Sequence, residues 1–263
     1  MAATMYPATP AFKQRVLALE RVGGIFLQLG SAATAEIAAR SGVDFLVLDQ
    51  EHGLGGEDAT LAQLVACAGT RACPVVRVAA NEAPRFKRCL DAGAVGVMVP
   101  YVDDAAAAAA AVAAMRYPPR GVRGMARVTR ATNFGADFEE YFASCDARLV
   151  LMAQIETTAA VAAAAAIAAV DGVDVLFVGP TDLGTSIAGR PLPFDDERLV
   201  AARRAVAAAA RAAGKAAGIL CMLPEQVAAV EAEGFTVIML GSDMGAAAAG
   251  LRGYAAALAA PPK

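Results

Sequence analysis

Two short apolar segments of this sequence each lead to a carboxylate side chain. Residues 151–155 run without a break into Glu156, and residues 175–178 are followed four positions later by Asp182. Uninterrupted apolar runs of this length are typical of strands buried on both faces. Two carboxylates at the ends of nearby strands predict a site for a hard divalent cation, which prefers oxygen ligands. The alternative is that each acid caps the helix that follows it.

The single histidine of the chain also follows an apolar segment. His52 comes after residues 45–49 and has acidic neighbours in Asp49 and Glu51. This setting favours a general base whose pKa is near neutrality and whose ring is oriented by a carboxylate. A purely structural histidine is the alternative. One histidine without a nearby second one argues against a histidine-rich zinc site.

Arg77 lies inside another apolar segment, residues 74–78. A guanidinium group buried in a strand is costly unless it is paired with an anion. The partner is either a substrate carboxylate held by the guanidinium fork or a carboxylate of the protein in a buried salt bridge. Gln154 is two positions before Glu156, so both side chains point to the same side of their strand. We therefore expect Gln154 to orient Glu156 or a group beside it.

The elements that carry these residues alternate between strand-like and helix-like segments. The predicted strands are residues 24–29, 45–49, 74–78, 96–100, 150–155, 175–178, 217–220 and 236–240. The predicted helices are residues 11–21, 58–69, 84–92, 104–115, 138–144, 158–170 and 195–213. Strict alternation predicts a parallel sheet. Eight strands within 263 residues predict one α/β domain, residues 1–263, folded as a closed (β/α)₈ TIM barrel.

A repeated joint between helix and strand supports this arrangement. A glycine precedes a short turn and an apolar strand at Gly42, Gly93, Gly172 and Gly234. Such a glycine ends a helix in the left-handed conformation. The alanine runs at 105–111 and 162–166 are interpreted as helices with Asp104 and Thr158 as caps, and disorder is the alternative.

In barrels of this kind the active site lies at the carboxyl ends of the strands. Pro180 and Thr181 follow strand six there, and Leu220 ends strand seven. The long irregular stretch 117–135 contains four arginines, namely Arg120, Arg123, Arg127 and Arg130. It is either a cationic lid that attracts an acidic substrate or a segment of ordinary solvated charge.

Composition excludes several classes of function. A formal net charge of −3 without a basic block makes nucleic acid an unexpected partner. Five scattered cysteines without a C-x-x-C pair indicate buried thiols in a reducing compartment. We find no signal peptide and no apolar run of about 20 residues, which predicts a soluble cytoplasmic protein that does not bind a membrane. The absence of a lysine at the exits of strands two to six disfavours Schiff-base chemistry.

Four segments together resemble the metal-dependent (class II) pyruvate aldolases of the aldolase/citrate lyase superfamily. They are Leu48-Asp-Gln-Glu-His52, Arg116-Tyr-Pro-Pro-Arg-Gly-Val-Arg-Gly124, Gln154-Ile-Glu156 and Phe177-Val-Gly-Pro-Thr-Asp-Leu183. The family includes 4-hydroxy-2-oxoheptanedioate aldolase and 2-dehydro-3-deoxyglucarate aldolase. The similarity extends from about residue 24 to residue 241, with the motifs in the family's order.

The resemblance implies a role for each matching residue. Glu156 and Asp182 match the ligands of a Mg²⁺, Mn²⁺ or Co²⁺ ion, and Arg77 matches the arginine that contacts pyruvate. His52 matches the catalytic base, supported by Asp49 and by Asp91, and Asp91 would come from a neighbouring subunit. Gln154, Pro180, Thr181 and Leu220 are assigned to substrate binding. Gln50 stands where the family commonly has glycine, which would narrow the pocket.

The resemblance further implies a homo-oligomer, a hexamer built as a trimer of dimers, in which the last helix is exchanged between subunits. The expected reaction is reversible cleavage of a 4-hydroxy-2-oxo acid to pyruvate and an aldehyde. Alternatives are an oxaloacetate decarboxylase or a citramalyl-type acyl-CoA lyase that uses the same enolate chemistry. An alternative of another class is a barrel that binds an oxo acid without catalysis.

Overall fold

Eight parallel strands close into a barrel in chain order in the computed structural model, which describes residues 9–259. The strands are β1 Val22–Leu27, β2 Phe45–Asp49, β3 Cys73–Arg77, β4 Gly96–Val99, β5 Val150–Ile155, β6 Val175–Val178, β7 Ala216–Cys221 and β8 Val237–Ser242. Each strand pairs in parallel with the next, and β8 pairs with β1 to close the sheet. The predicted fold class and all eight predicted strands are confirmed.

Most helices lie outside the barrel and connect successive strands, whereas the first helix precedes β1 and the last follows β8. The helices are α1 Thr9–Leu17, α2 Ala32–Ala39, α3 Glu57–Ala66, α4 Ala83–Asp91, α5 Ala105–Met115, α6 Phe138–Arg148, α7 Thr158–Ala162, α8 Ala164–Ala168, α9 Pro180–Ala188, α10 Glu197–Ala212, α11 Val227–Ala232 and α12 Asp243–Ala259. Short 3₁₀ turns occur at Arg130–Gly135 and Pro224–Gln226. No helix within residues 9–259 combines the length and hydropathy of a membrane span.

The alanine runs are helical, as predicted, but one cap was assigned to the wrong residue. Asp104 caps α5, because its carboxylate accepts a hydrogen bond from the Ala107 amide at 2.7 Å. The cap of α7 is Thr157 rather than Thr158, and its hydroxyl accepts from the Ala160 amide at 3.0 Å. The segment predicted as one helix is two helices, since the backbone leaves the helical conformation at Ala163.

The repeated joint before four of the strands has the predicted conformation. Gly42, Gly93, Gly172 and Gly234 all have φ between 96° and 103°, where a side chain is strained. Each ends a descending helix so that the chain can enter the next strand at the amino end of the barrel. This joint sets where each of these four strands starts and therefore which of its residues reach the carboxyl end of the barrel.

The core is formed by strands whose residues are buried on both faces, as in other parallel sheets. The five cysteines are all buried. Burial raises the pKa of the Cys67 thiol to about 11 and that of Cys89 to about 12, so both remain protonated near neutrality. Within the described part of the chain, the cysteines are therefore core residues, as the sequence predicts.

The arginine-rich segment 117–135 lies at the amino end of the barrel and does not cover the carboxyl ends of its own strands. Arg130 donates hydrogen bonds to the carbonyls of Leu64 and Ala92, near the C-terminal ends of α3 and α4. Arg120 pairs with Asp146 at 2.8 Å, and Arg127 pairs with Glu139 at 2.8 Å. The expectation of a cationic lid over the same chain's pocket is wrong, because these charges are engaged elsewhere in the chain.

Candidate active site

A small pocket opens at the carboxyl ends of the strands and contains most of the predicted site residues. It is lined by Phe26, Arg77, Gln154, Glu156, Phe177, Gly179, Pro180, Thr181, Asp182 and Leu220. Both predicted metal ligands and every predicted substrate-binding residue are in this set. Gln50 does not line the pocket, because its side-chain amide donates a hydrogen bond to the Thr60 hydroxyl on α3 at 3.1 Å.

Glu156 is held at both carboxylate oxygens. It follows β5 directly and is 2% exposed. Its Oε1 accepts from the Gln154 amide at 2.6 Å, and its Oε2 accepts from the Tyr101 backbone N–H at 3.1 Å. Gln154 thus orients Glu156, as expected from their shared side of the strand. Glu156 does not cap a helix, since Thr157 is the cap of α7.

Gly179 lies against Glu156 in the pocket wall. A Cβ added at this position would collide with Glu156 Oε1. The glycine precedes Pro180 at the start of α9 and has an ordinary φ of −94°. The missing side chain is therefore required by the space that the carboxylate occupies rather than by the backbone conformation.

The charge of Glu156 is poorly stabilised in the metal-free protein. Burial is the main cause that raises its pKa to about 8, and the nearby charges of Glu51 and Asp182 raise it further. The hydrogen bond from the Tyr101 amide and the charge of Arg77 lower the pKa of Glu156, but by less than burial and the two carboxylates raise it. A cation bound among these carboxylates would remove this penalty.

Asp182 is in the first turn of α9, where the helix dipole favours a negative charge. The helix-start interpretation therefore describes its position correctly. Its carboxylate also lines the pocket, and the Tyr101 hydroxyl lies 3.5 Å from its Oδ1. Asp182 consequently faces the same space as Glu156 while it sits at the end of a helix.

Arg77 forms a buried salt bridge with Asp49, its register partner on β2. Its Nε and Nη2 donate to the two carboxylate oxygens at 2.9 and 2.6 Å. Burial raises the pKa of Asp49, but the hydrogen bonds and charge of Arg77, together with hydrogen bonds from Gln28 and the His52 amide, hold that pKa below its usual value. The Phe26 ring lies 4.6 Å from the guanidinium carbon. The salt-bridge alternative is thus realised, and Nη1, which is not bonded to Asp49, can still donate to another anion.

The carboxylate of Glu51 lies beside Arg77 Nη1. Its Oε2 is 3.0 Å from Arg77 Nη1, but the two groups are not aligned as a hydrogen bond, and Oε2 has no hydrogen-bond donor among the described residues. Burial raises the pKa of Glu51, although the charge of Arg77 partly offsets this effect. Glu51 is therefore a weakly held carboxylate next to the arginine.

His52 lies at the rim of the barrel, and 59% of its side chain is exposed. Its Nε2 is 3.9 Å from Glu51 Oε2, which is too long for a hydrogen bond. Asp49 accepts from the backbone N–H of His52 at 3.2 Å, so it fixes the turn rather than the imidazole. The expected orientation of the ring by a carboxylate is not formed in a single chain.

Asp91 lies far from this pocket in the same chain. It is the last residue of α4, which runs from the carboxyl end of the barrel down to the start of β4. There it accepts a hydrogen bond from Arg123 Nη2 at 2.7 Å. Because helix and strand run in opposite directions, Asp91 can reach an active site only in another copy of the chain.

Among the site residues to which the sequence patterns give no role, Phe26, Tyr101 and Gly179 lie against its charged groups. Gly179 belongs to a motif that was noted, and Tyr101 follows the exit of strand four, but neither residue type signals a ligand or a base. Phe26 gave no signal, since a phenylalanine in a strand is ordinary core composition. All three act by contact with a charged neighbour, which only the fold reveals.

The donor set fits a hard divalent cation. Glu156 and Asp182 supply carboxylate oxygens, and the buried Gln154 Oε1 has no hydrogen-bond partner among the described residues. Those residues contain no cluster of three or more histidine, cysteine or acidic side chains with metal-site geometry. Two carboxylates leave coordination positions for water and substrate, which suits Mg²⁺ or Mn²⁺ better than an all-protein site would.

The fold is a parallel (β/α)₈ barrel with carboxylates and an arginine at the carboxyl ends of its strands. This combination is typical of barrel enzymes that act on small anionic substrates. Residues 23–249 match the HpcH/HpaI aldolase/citrate lyase family model. The chain belongs to this family and is a carbon–carbon lyase of the aldolase type.

Individual relatives cover most of the chain. The hydroxypyruvate/pyruvate aldolase of Agrobacterium fabrum is 43% identical over 80% of this chain and 78% of its own length. The 5-keto-4-deoxy-D-glucarate aldolase of Salmonella paratyphi C is 36% identical over 89% of this chain and 91% of its own. A solved family member from Burkholderia cenocepacia superimposes with a TM-score of 0.90 at 33% identity, covering 96% of this chain and all of that one.

Proposed function

We propose that this enzyme reversibly cleaves 4-hydroxy-2-oxo acids to pyruvate and an aldehyde, with a divalent cation held by Glu156 and Asp182. The observation that carries the proposal is the pocket in which these two carboxylates face Arg77 at the carboxyl ends of the strands. Relatives named as aldolases of hydroxypyruvate, pyruvate and a keto-deoxy sugar diacid support the substrate class.

In this proposal, the carboxylates of Glu156 and Asp182 bind the cation. When bound, a Mg²⁺, Mn²⁺ or Co²⁺ ion would act as a Lewis acid for the negative charge that develops on the oxo group as the carbon–carbon bond breaks. Gln154 keeps Glu156 oriented through its 2.6 Å hydrogen bond, and Gly179 leaves room for that carboxylate.

Arg77 binds the substrate carboxylate in this proposal. Its Nη1 is the nitrogen of the guanidinium group that is not hydrogen-bonded to Asp49. An anionic substrate would replace Glu51 as the neighbour of Nη1. Asp49 then has a positioning role, because it fixes the plane of the guanidinium group and the backbone of the turn that carries His52.

His52 removes the proton of the 4-hydroxyl group. It lies at the open end of the barrel, where the aldehyde half of the substrate must extend, and Glu51 is its nearest carboxylate. We assign Asp91 to the same step from a neighbouring subunit, where it would face His52. Pro180, Thr181 and Leu220 enclose the pyruvate half of the pocket.

The fold supports the proposed homo-oligomer with an exchanged last helix. None of the residues of α12 is buried, and Leu251, Tyr254 and Leu258 are 66%, 72% and 88% exposed. An apolar groove bounded by α2 and β8, which includes Ile37 and Leu240, is left open beside the root of α12. Both surfaces are covered at once if each chain receives the helix of a second copy.

The proposal is tested by pyruvate release from a panel of 4-hydroxy-2-oxo acids. Activity should vanish with a chelator and return with Mg²⁺, Mn²⁺ or Co²⁺. Glu156→Gln and Asp182→Asn should weaken metal binding by more than the roughly 10- to 100-fold that loss of an outer-shell partner costs, because each removes a charged ligand. Asp195→Asn, an exposed acid outside the pocket, is the matched control.

Full activity in excess chelator, or trapping of the enzyme on pyruvate by borohydride, would contradict the proposed mechanism. Oxaloacetate and an acyl-CoA thioester belong in the same panel. Release of pyruvate from oxaloacetate alone would identify a decarboxylase, and cleavage of the thioester alone would identify an acyl-CoA lyase. Metal-dependent binding of pyruvate without turnover of any substrate would identify a binding protein.

A further inference from the structure

Tyr101 adopts a backbone conformation that a tyrosine rarely has. It follows β4 and has a φ of 50°, in the left-handed region. Leu19, Asn133 and Phe134 also have positive φ, but they lie in turns at the end of α1 and within the 3₁₀ turn before α6. Strained backbone at a site is retained when the surrounding contacts require it.

The contacts of Tyr101 reach both proposed metal ligands. Its backbone N–H donates to Glu156 Oε2 at 3.1 Å, and its hydroxyl lies 3.5 Å from Asp182 Oδ1. Those two carboxylates come from different βα units, one after β5 and one in the first turn of α9. Tyr101 belongs to a third unit and touches both.

The segment that carries Tyr101 is attached firmly to β5. The amide of Val102 donates to the Gln154 carbonyl at 3.1 Å. Asp103 accepts from the hydroxyl of Thr157, the cap of α7, at 2.5 Å. Three consecutive residues, 101–103, thus bind three positions around Glu156. The left-handed backbone at Tyr101 turns its N–H toward the carboxylate within this anchored segment.

We infer that Tyr101 is a positioning residue that aligns Glu156 with Asp182 through its backbone amide and its hydroxyl group. The inference rests on the proposed metal-binding function of these carboxylates and adds a residue to it. Each carboxylate oxygen has more than one acceptor site, so an oxygen bound to Tyr101 still faces the pocket. A tyrosine at this position reduces the freedom of both ligands before a cation binds.

The hydroxyl contribution is tested with Tyr101→Phe, which keeps the ring and the backbone. We expect its Mn²⁺ dissociation constant to rise by roughly 3- to 10-fold, the effect of losing one long, partly exposed hydrogen bond to a charged group. The unfolding temperature without metal should stay at the wild-type value. Tyr117→Phe removes the same hydroxyl group at the amino end of the barrel, where the ring packs on Arg123, and should leave Mn²⁺ affinity unchanged.

The backbone contribution is tested with a second pair of variants. Tyr101→Gly and Tyr101→Ala both lose the side chain and keep the N–H, but only glycine tolerates a φ of 50° without strain. We expect weaker Mn²⁺ binding for the alanine variant than for the glycine variant, because relaxation of the backbone would turn the N–H away from Glu156. Equal Mn²⁺ affinity in the two variants overturns the backbone part of the inference.

The outcomes separate this inference from the proposed function. Wild-type protein that does not bind Mn²⁺ overturns both. Wild-type protein that binds Mn²⁺ with the same affinity as Tyr101→Phe overturns the role of the hydroxyl group and leaves the proposed function intact. A Tyr101→Phe variant that loses unfolding temperature in the metal-free state also counts against a positioning role, since it would show a general contribution to folding.

Discussion

Glu156 carries the largest electrostatic penalty among the carboxylates of the pocket, and this penalty has a consequence for stability. Its pKa is raised to about 8, chiefly by burial, whereas a glutamate in an unfolded chain titrates near 4.3. The folded protein therefore holds a proton that the unfolded chain releases at neutral pH. The resulting stability is fully present below pH ~4 and is lost as the pH rises toward 8.

We expect the metal-free protein to lose stability between pH 5 and pH 8 by an amount on the order of a few kcal/mol through this residue. Glu156→Gln should lose less, because glutamine has no proton to release. Thermal unfolding of both proteins in chelator across this pH range measures the difference. Parallel curves for the two proteins would show that the pKa of Glu156 is not raised.

His52 is the residue whose role depends most on the substrate. If it removes the 4-hydroxyl proton, His52→Ala should lower kcat for aldol cleavage by roughly 10²- to 10⁴-fold and change KM little. Decarboxylation of oxaloacetate has no hydroxyl proton to remove, so any such activity should fall less. Both rates are measured side by side on one preparation.

An equal loss of both activities in His52→Ala would reassign the histidine to the pyruvate half of the site. An aldol rate near that of the wild type would remove it from the mechanism. The exposed position of His52 and its 3.9 Å separation from Glu51 make this comparison informative, since packing contributes little to its role.

At the scale of elements, the contact between β5 and the start of α9 determines where Glu156 can lie. Glu156 follows β5 and the start of α9 follows β6. These two strands pair, with Ile155 opposite Val178 in register. Gly179 is the point at which the α9 segment passes the Glu156 carboxylate. The pair of proposed ligands therefore depends on a close approach between the exits of β5 and β6, which Gly179 permits.

Gly179→Ala should displace Glu156 and reduce activity by about 100-fold, as expected for a misplacement of about 1 Å in a catalytic group. Gly23→Ala is the matched control, since a Cβ at Gly23 meets no atom within 4 Å. Mn²⁺ titration and pyruvate release measure the effect on both variants. Wild-type Mn²⁺ affinity in Gly179→Ala would show that the carboxylate is free to move.

At the scale of the whole molecule, residues 9–259 of one chain leave two features uncovered. The exposed helix α12 has no buried residue, and the apolar groove beside its root is open to solvent. Asp91 lies at the amino end of the barrel, where its carboxylate accepts a hydrogen bond from Arg123. A symmetric assembly would cover the helix and the groove together.

We expect Leu251→Asp combined with Leu258→Asp to convert the assembly to single chains, because two charges would have to be buried in the groove of a second copy. Light scattering coupled to size-exclusion chromatography measures the mass in solution. Glu197→Gln, on the exposed surface of α10, serves as the control and should keep the wild-type mass. A double variant of unchanged mass, or a wild-type protein of single-chain mass, would contradict the exchanged helix.

Much of the fold was predictable because local patterns repeat around the barrel. Apolar runs located all eight strands, and the glycine joints showed where four of them start. Once strands are parallel and in order, their carboxyl ends meet, so Arg77, Glu156 and Asp182 were expected in one pocket without knowledge of any contact. The pairing of Gln154 with Glu156 followed in the same way from the two-residue period of a strand.

Only the tertiary structure determined which side chains from different βα units contact one another. The register of β2 on β3 places Asp49 opposite Arg77, and this pairing cannot be read from the sequence of either strand. Likewise, the direction of α4 separates Asp91 from the pocket, and the left-handed backbone of Tyr101 brings its amide to Glu156. These contacts depend on distances across the barrel, which local propensity and periodicity do not encode, because they arise only when separate elements pack together.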